Sequence, residues 1–256
     1  MLEPDGLRAL VEEYLGTLTL GHELGALEGP MRYALGGGGK RIRPVLCVAT
    51  CEAAGAPPGE ALPAAAALEL VHTFSLVHDD LPAMDDDDER RGRPSAHVAH
   101  GEGVALLAGD ALLVEAFRLA LAYDEPGVAR ELADATLGMI GGQYLDITDP
   151  ATDLGELHRL KTGRLLAASV VVGVVVAGLA ADEQEPWRAF GEELGPLFQL
   201  VDDVLDGDGY AARYGAEEAR RLAAEAASRA RARLDAIDAD TSVLLALVDE
   251  LAHRTL

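Results

Sequence analysis

Apolar residues recur along the chain at three- and four-residue intervals, and no segment sustains the strict alternation that a half-buried strand requires. Alanine and leucine dominate the periodic segments and favour helix, while glycine and proline gather between them, where turns belong. The pattern predicts an all-α chain. In "AALELVHTFSLVH" the positions Leu68, Val71, Ser75 and His78 form the stripe of a helix that packs on something. A longer apolar run, Leu165 to Ala181, covers 17 residues and sits at the lower edge of a bilayer span. One short span among amphipathic helices has little to recommend it, so the run is expected to be a buried core helix. Its valines are poor helix formers that tertiary packing must overrule.

A length of 256 residues suffices for one large domain with a deep core, and the expectation is a single domain over 1–256. A hydrophobic share of 49% with only 4% aromatic residues points to small aliphatic packing. There is no repeat period and no low-complexity linker. The N-terminus lacks the basic-then-apolar pattern of a signal peptide, and a cytoplasmic protein with no membrane span is expected. Cys47 and Cys51 lie four apart on a predicted helix; without a CxxC or a histidine nearby, they read as reduced thiols rather than a metal site. The net charge of -23 excludes nucleic acid, whose phosphates need a positive face. An anionic ligand must therefore be held by metal ions or by a local basic patch.

The candidate chemistry begins in "LVHDDLPAMDDDDERRGRP", Leu76 to Pro94, with six aspartates among ten residues followed by three arginines. Most acidic runs are solvated faces, but this one is entered from an apolar helix, and Pro82 forces a turn between Asp79-Asp80 and Asp85. A second cluster, "FQLVDDVLDGDG", puts Asp202, Asp203 and Asp206 on one helix end, where like charges repel unless something neutralises them. Oxygen-only ligands suit a hard cation such as Mg²⁺, which keeps waters and is completed by substrate phosphates.

Basic residues are complementary: of 21 Lys+Arg only Lys40 and Lys161 are lysine, so these two mark positions where a compact ammonium is wanted, as against phosphate oxygen. Lys40 sits in "GGGGKRIRP", where Gly36 to Gly39 allow close backbone approach and Lys40, Arg41 and Arg43 supply donors. Ala34 and Arg41 occupy positions that a Walker A loop reserves for Gly and Ser/Thr, so this is not one. Lys161 opens "KTGR". Taken alone, either patch is equally a helix cap or a surface charge.

Together, "GGKRIRP", "LVHTFSLVHDDLPAMDDDDERRGRP", "GGQYLD", "KTG" and "FQLVDDVLD" resemble, in order and spacing, the trans-prenyl diphosphate synthases, the farnesyl and geranylgeranyl diphosphate synthase group. The resemblance runs from about Met31 to Asp206. It implies an isoprenoid synthase fold of about ten antiparallel helices around a deep central cavity, and a homodimer. It implies that Asp79, Asp85 and Asp202 hold two or three Mg²⁺ ions that clamp an allylic diphosphate. Arg90, Lys161, Thr162 and Gln199 would face that substrate, and Lys40, Arg43, His72 and Arg91 the diphosphate of isopentenyl diphosphate. Phe74, five residues before the first aspartate, would close the pocket floor and favour a farnesyl over a geranylgeranyl product. The chain departs from the family after Asp206, where "DGDGYAARYGAEEARRLAAEA" replaces a lysine-bearing loop, with Arg213 as a possible substitute cation. A class I terpene cyclase shares the metal logic but has no use for "GGKRIRP" and His72. A regulatory subunit of a heteromeric synthase typically lacks an aspartate motif, and both are present here.

Overall fold

The computed structural model describes residues 2–148 and 153–253. The chain is all-α, as expected. Helices α1 (Pro4–Thr17), α2 (Glu28–Leu35), α3 (Ile42–Ala53) and α4 (Leu62–Asp79) lead to a two-residue antiparallel ribbon, β1 (Glu89–Arg90) and β2 (Arg93–Pro94). There follow α5 (Ala96–His100), α6 (Glu102–Ala120), α7 (Gly127–Thr148) and α8 (Leu154–His158). A π turn over Arg159–Gly163 joins α8 to α9 (Arg164–Val176). The chain closes with α10 (Glu185–Asp206), α11 (Gly209–Tyr214), α12 (Ala216–Asp235) and α13 (Ser242–His253).

Small residues set the spacing of these helices. α4 is the central element: Ala64 to Leu68, Leu70 and Val71 are fully enclosed, and α6 is its closest neighbour. The two meet where Gly109 of α6 leaves a notch filled by the His78 ring, whose Nε2 lies 3.0 Å from the Leu106 carbonyl oxygen. On the other side α9 packs on α3, and a Cβ on Gly173 would come within 2.5 Å of the Cys47 carbonyl. Gly195 of α10 faces Gly163 in the same way, at 2.7 Å. Interiors tolerate such approaches only where no side chain intervenes, which is the structural use of an aliphatic core nearly free of aromatic rings. Cys47 and Cys51 are buried free thiols inside it.

The apolar run from Leu165 contracts to the 13 residues of α9, buried from Leu165 to Val174 except at Ala167, and too short to span a bilayer. Among the described residues one helical stretch, Pro58–Asp79, is long and apolar enough to cross a membrane by length and composition, yet 67% of its apolar window is buried within the bundle. A helix enclosed in this way is a core helix.

Candidate active site

A cavity of about 540 Å³ opens between α4, α6, α7 and the π turn. Arg43, His72, Phe74 and Asp79 line one side and Lys161 and Thr162 another, with Met139, Tyr144 and Leu113 among the apolar wall. His72 and Asp79 thus share one face of α4, two turns apart, as helical spacing requires.

At the mouth, α4 ends at Asp79 and the chain reverses through Leu81 and Met84, so that the Asp85 amide donates to the Asp79 carbonyl at 2.9 Å. The turn brings the two halves of the acidic run together. Burial pushes the Asp79 carboxyl up to about 6; Lys161 opposes the rise and Asp85 reinforces it. Lys161 is presented by the π turn, a distortion that often marks functional positions, and its Nζ lies 2.6 Å from Asp146 Oδ2. Thr162 Oγ1 donates to Gln199 Oε1 at 3.3 Å, and Gln199 Nε2 donates to Asp203 Oδ1 at 2.8 Å.

Around His72 the cavity is positive. His72 is held well below the usual imidazole range, first by burial and then by the charges of Arg43, Arg91, Arg41 and Arg90. Burial likewise lowers Arg43 to about 10 against the opposing pull of Glu69 and Asp202, and its Nε is buried without a hydrogen-bond partner. Of these four guanidinium groups Arg41 and Arg90 are paired with carboxylates, which leaves Arg43 and Arg91 beside a neutral imidazole as the positive charge open to a polyanion.

The three basic positions grouped from the glycine-rich stretch, Lys40, Arg41 and Arg43, separate in space. Arg41 was expected to supply a ligand donor; instead it is buried, donating to Glu12 Oε1 at 2.7 Å, Glu69 Oε1 at 2.5 Å and the Leu35 carbonyl at 2.7 Å. Its backbone is left-handed (φ 49) because α3 starts at the next residue, and that kink sends neighbouring side chains in different directions. Lys40 borders a separate cleft with Arg8, Leu247 and Glu250, while Arg43 enters the main cavity. In the ribbon, Arg91 (φ 56) and Gly92 (φ 73) form a tight two-residue turn. Arg90 donates back to Asp80, 2.9 Å from Nε, and to Asp87, at 3.3 Å. Arg91 lies against Gly39 and donates to the Gly38 carbonyl, so the glycine loop receives a side chain of the protein itself.

The second acidic cluster also divides. Asp202 is half-buried and its charge acts on Arg43, whereas Asp206 is exposed. Asp203, counted from the sequence toward a cation, is fully enclosed and already used: besides Gln199 it accepts the Tyr210 amide at 2.8 Å, which ties α11 to α10. That link spans the short connection between Asp206 at the end of α10 and Gly209 at the start of α11. Arg213 stacks over Tyr214, 5.4 Å from the ring centroid, and is not among the residues lining the cavity. Among the described residues no three His, Cys, Asp or Glu side chains are gathered as a ready-made metal site.

Sequence reasoning missed two features. Glu69, buried against Arg41 and felt by Arg43, was visible as the one acid in α4 before Asp79 at its end. The α6 and α7 wall, including Gln143 of "GGQYLD", left no periodic signal distinct from that of core.

The polyprenyl synthetase family profile matches residues 25–219. The large subunit 1 of a heterodimeric geranylgeranyl pyrophosphate synthase from Arabidopsis thaliana is 42% identical over 88% of this chain and 71% of its own length. A farnesyl diphosphate synthase from Geobacillus stearothermophilus is 41% identical over 74% of this chain and 71% of its own. The chain spans a smaller share of other relatives, 64% of a geranylgeranyl diphosphate synthase from Cyanophora paradoxa. Among solved structures, a geranyltransferase from Legionella pneumophila superposes with a TM-score of 0.88 at 30% identity, over 98% of this chain and 96% of the other. The chain belongs to the polyprenyl synthetase family, whose members are prenyltransferases.

Proposed function

We propose that the protein joins isopentenyl diphosphate to an allylic diphosphate, dimethylallyl or geranyl, and releases farnesyl diphosphate. The observation that carries this reading is the polarity of one cavity: a crowded carboxylate and a lysine at its mouth, His72 among arginines to one side, and a hydrocarbon wall between. Two diphosphates and an apolar chain match those three surfaces.

Asp79, Asp85 and Asp202 would hold Mg²⁺. Their chemistry fits: Asp79 and Asp85 are all-oxygen donors crowded enough to favour a cation, and Mg²⁺ takes few protein ligands when phosphates and water complete its shell. Bound there, the metal supplies charge to the departing diphosphate. The side chains do the rest. Lys161 and Thr162 meet the allylic diphosphate, Arg43, His72 and Arg91 hold the second substrate, and Arg90 comes free of Asp80 or acts through it. The allylic C–O bond breaks with its electron pair on the diphosphate, the alkene attacks the cation, and the released diphosphate takes the final proton. The apolar wall excludes water meanwhile.

Phe74 supports the fifteen-carbon product: it is nearly fully buried, lines the cavity, and is braced edge-on by His78 at 5.2 Å between centroids. The names of most relatives favour a geranylgeranyl product instead. A homodimer is supported by the exposed apolar side chains of Leu107 and Val114 on α6, Leu121 just beyond its end, and Leu137 on α7. Purified protein given radiolabelled isopentenyl diphosphate, Mg²⁺ and each allylic primer in turn tests the reading. Incorporation into a fifteen-carbon product is expected, and no incorporation with any primer would overturn it.

A further inference from the structure

Gly109 of α6 and His78 of α4 fit together as notch and ring. A Cβ at position 109 would overlap His78 at Nε2 and Cδ2, and no other described glycine is approached so closely by a side chain. The ring is held there by chemistry as well as by shape. Its Nε2 stands 3.0 Å from the Leu106 carbonyl oxygen, which can only accept, so this nitrogen carries the hydrogen. Two helices can be spaced as well by an alanine opposite another small residue. This chain instead sets a bare backbone opposite a large planar ring, and close packing leaves that ring one place to sit.

The same ring meets Phe74. Positions 74 and 78 lie one turn apart on α4, their rings stand at 82° with centroids 5.2 Å apart, and both line the cavity. A phenylalanine ring turns about two torsions, and only its neighbours keep it in one rotamer. We propose that Gly109 is a specificity-determining residue: by admitting the His78 ring into α6 it keeps Phe74 in place as the floor, and so sets the length of prenyl chain that fits. This rests on the prenyl-transfer reading above and on Phe74 as its floor. Gly109 and His78 are positioning residues that act through Phe74 and not on the reacting atoms. The control of product length is thereby shared between two helices, although the ring that meets the hydrocarbon belongs to one of them.

Emptying the notch and filling it should move product length in opposite directions. His78→Ala vacates the notch, Phe74 turns into the space, and the ratio of longer chains to the parent product should rise at least about fivefold. Gly109→Ala drives the His78 ring toward the cavity that it already lines, and with the dimethylallyl primer the ten-carbon product should accumulate. The ratio of products is the readout because a loss of stability or of overall rate alone leaves it unchanged. In a Phe74→Ala background, His78→Ala should change the ratio by less than about twofold, since the two act as one unit. An unchanged ratio in His78→Ala would overturn the proposal, even where Gly109→Ala fails to fold. So would unchanged or longer chains from a folded Gly109→Ala, or a full-sized effect of His78→Ala without the Phe74 ring, which would make His78 a floor in its own right. An unchanged ratio in Phe74→Ala would remove the floor and the proposal with it. An inactive parent protein would sink the prenyl-transfer reading as well, whereas an active parent with unresponsive His78 and Gly109 variants sinks this proposal alone.

Discussion

Gly142 of α7 and Lys161 of the π turn touch backbone to backbone: a Cβ on Gly142 would lie 2.5 Å from the Lys161 nitrogen and 2.8 Å from its Cα. The glycine therefore positions the lysine. Gly142→Ala should cost about 1–3 kcal/mol by overpacking and displace Lys161, lowering activity beyond what the stability loss explains. Its neighbour Gly141 has nothing within 4 Å, so Gly141→Ala should stabilise the helix by about 0.5–1 kcal/mol and leave activity intact. Denaturant melts and rate assays on the pair separate the two roles, and equal behaviour would contradict the contact.

Asp79→Asn should leave the fold in place, since it removes a buried, partly frustrated charge, yet cut the Mg²⁺-dependent rate by roughly 10²-fold or more. Asp202→Asn should do the same. Circular dichroism checks the fold and the product assay the rate. Near-normal turnover of either variant would remove the metal-clamp assignment.

Arg41 and Arg43 are two residues apart and should fail differently. Arg41→Ala strands the Glu69 carboxylate and should destabilise by about 3–5 kcal/mol. Arg43→Ala removes a side chain with an unpaired Nε and should instead raise KM for isopentenyl diphosphate much more than for the allylic substrate. If the allylic substrate lost affinity instead, the assignment of the two diphosphates would be reversed.

His72 gives the protein a calculable acid sensitivity. Folded, its pKa lies well below the ordinary 6.5, so as pH falls through 6.5 the unfolded chain binds a proton that the native state refuses. Stability from this group is complete above pH 6.5 and declines below it, by at most about 1.4 kcal/mol per pH unit. His72→Gln should flatten the decline between pH 6.5 and 5 in a urea-melt series. A diphosphate bound among the arginines reverses their effect, so proton uptake on binding is expected in calorimetry across buffers of different ionisation enthalpy.

Phe74→Ala should shift the product toward twenty carbons or more, read by chromatography of the dephosphorylated products. Because the ring is buried, the truncation also costs up to about 3–5 kcal/mol. Phe74→Leu keeps more of the packing and should shift the distribution less. An unchanged distribution in both would place the length limit on another residue of the wall.

The helical class, the two acidic clusters and the histidine two turns before Asp79 were legible in the sequence, because each is a local matter of propensity, spacing and charge. The core identity of the run after Leu165 was legible too, although its length shrank to α9. The destinations of side chains that compete for partners were not. "GKRIR" carries three like-looking cations, yet one left-handed residue at the start of α3 sends Lys40 to a separate cleft, Arg41 into a buried triad with Glu12 and Glu69, and Arg43 into the cavity. Asp203 looks like a ligand beside Asp202, but the turn to α11 claims it through the Tyr210 amide. Spacing along a helix fixes which face a group occupies; which partner it meets there depends on the helix across from it, and only tertiary packing brings that helix into place.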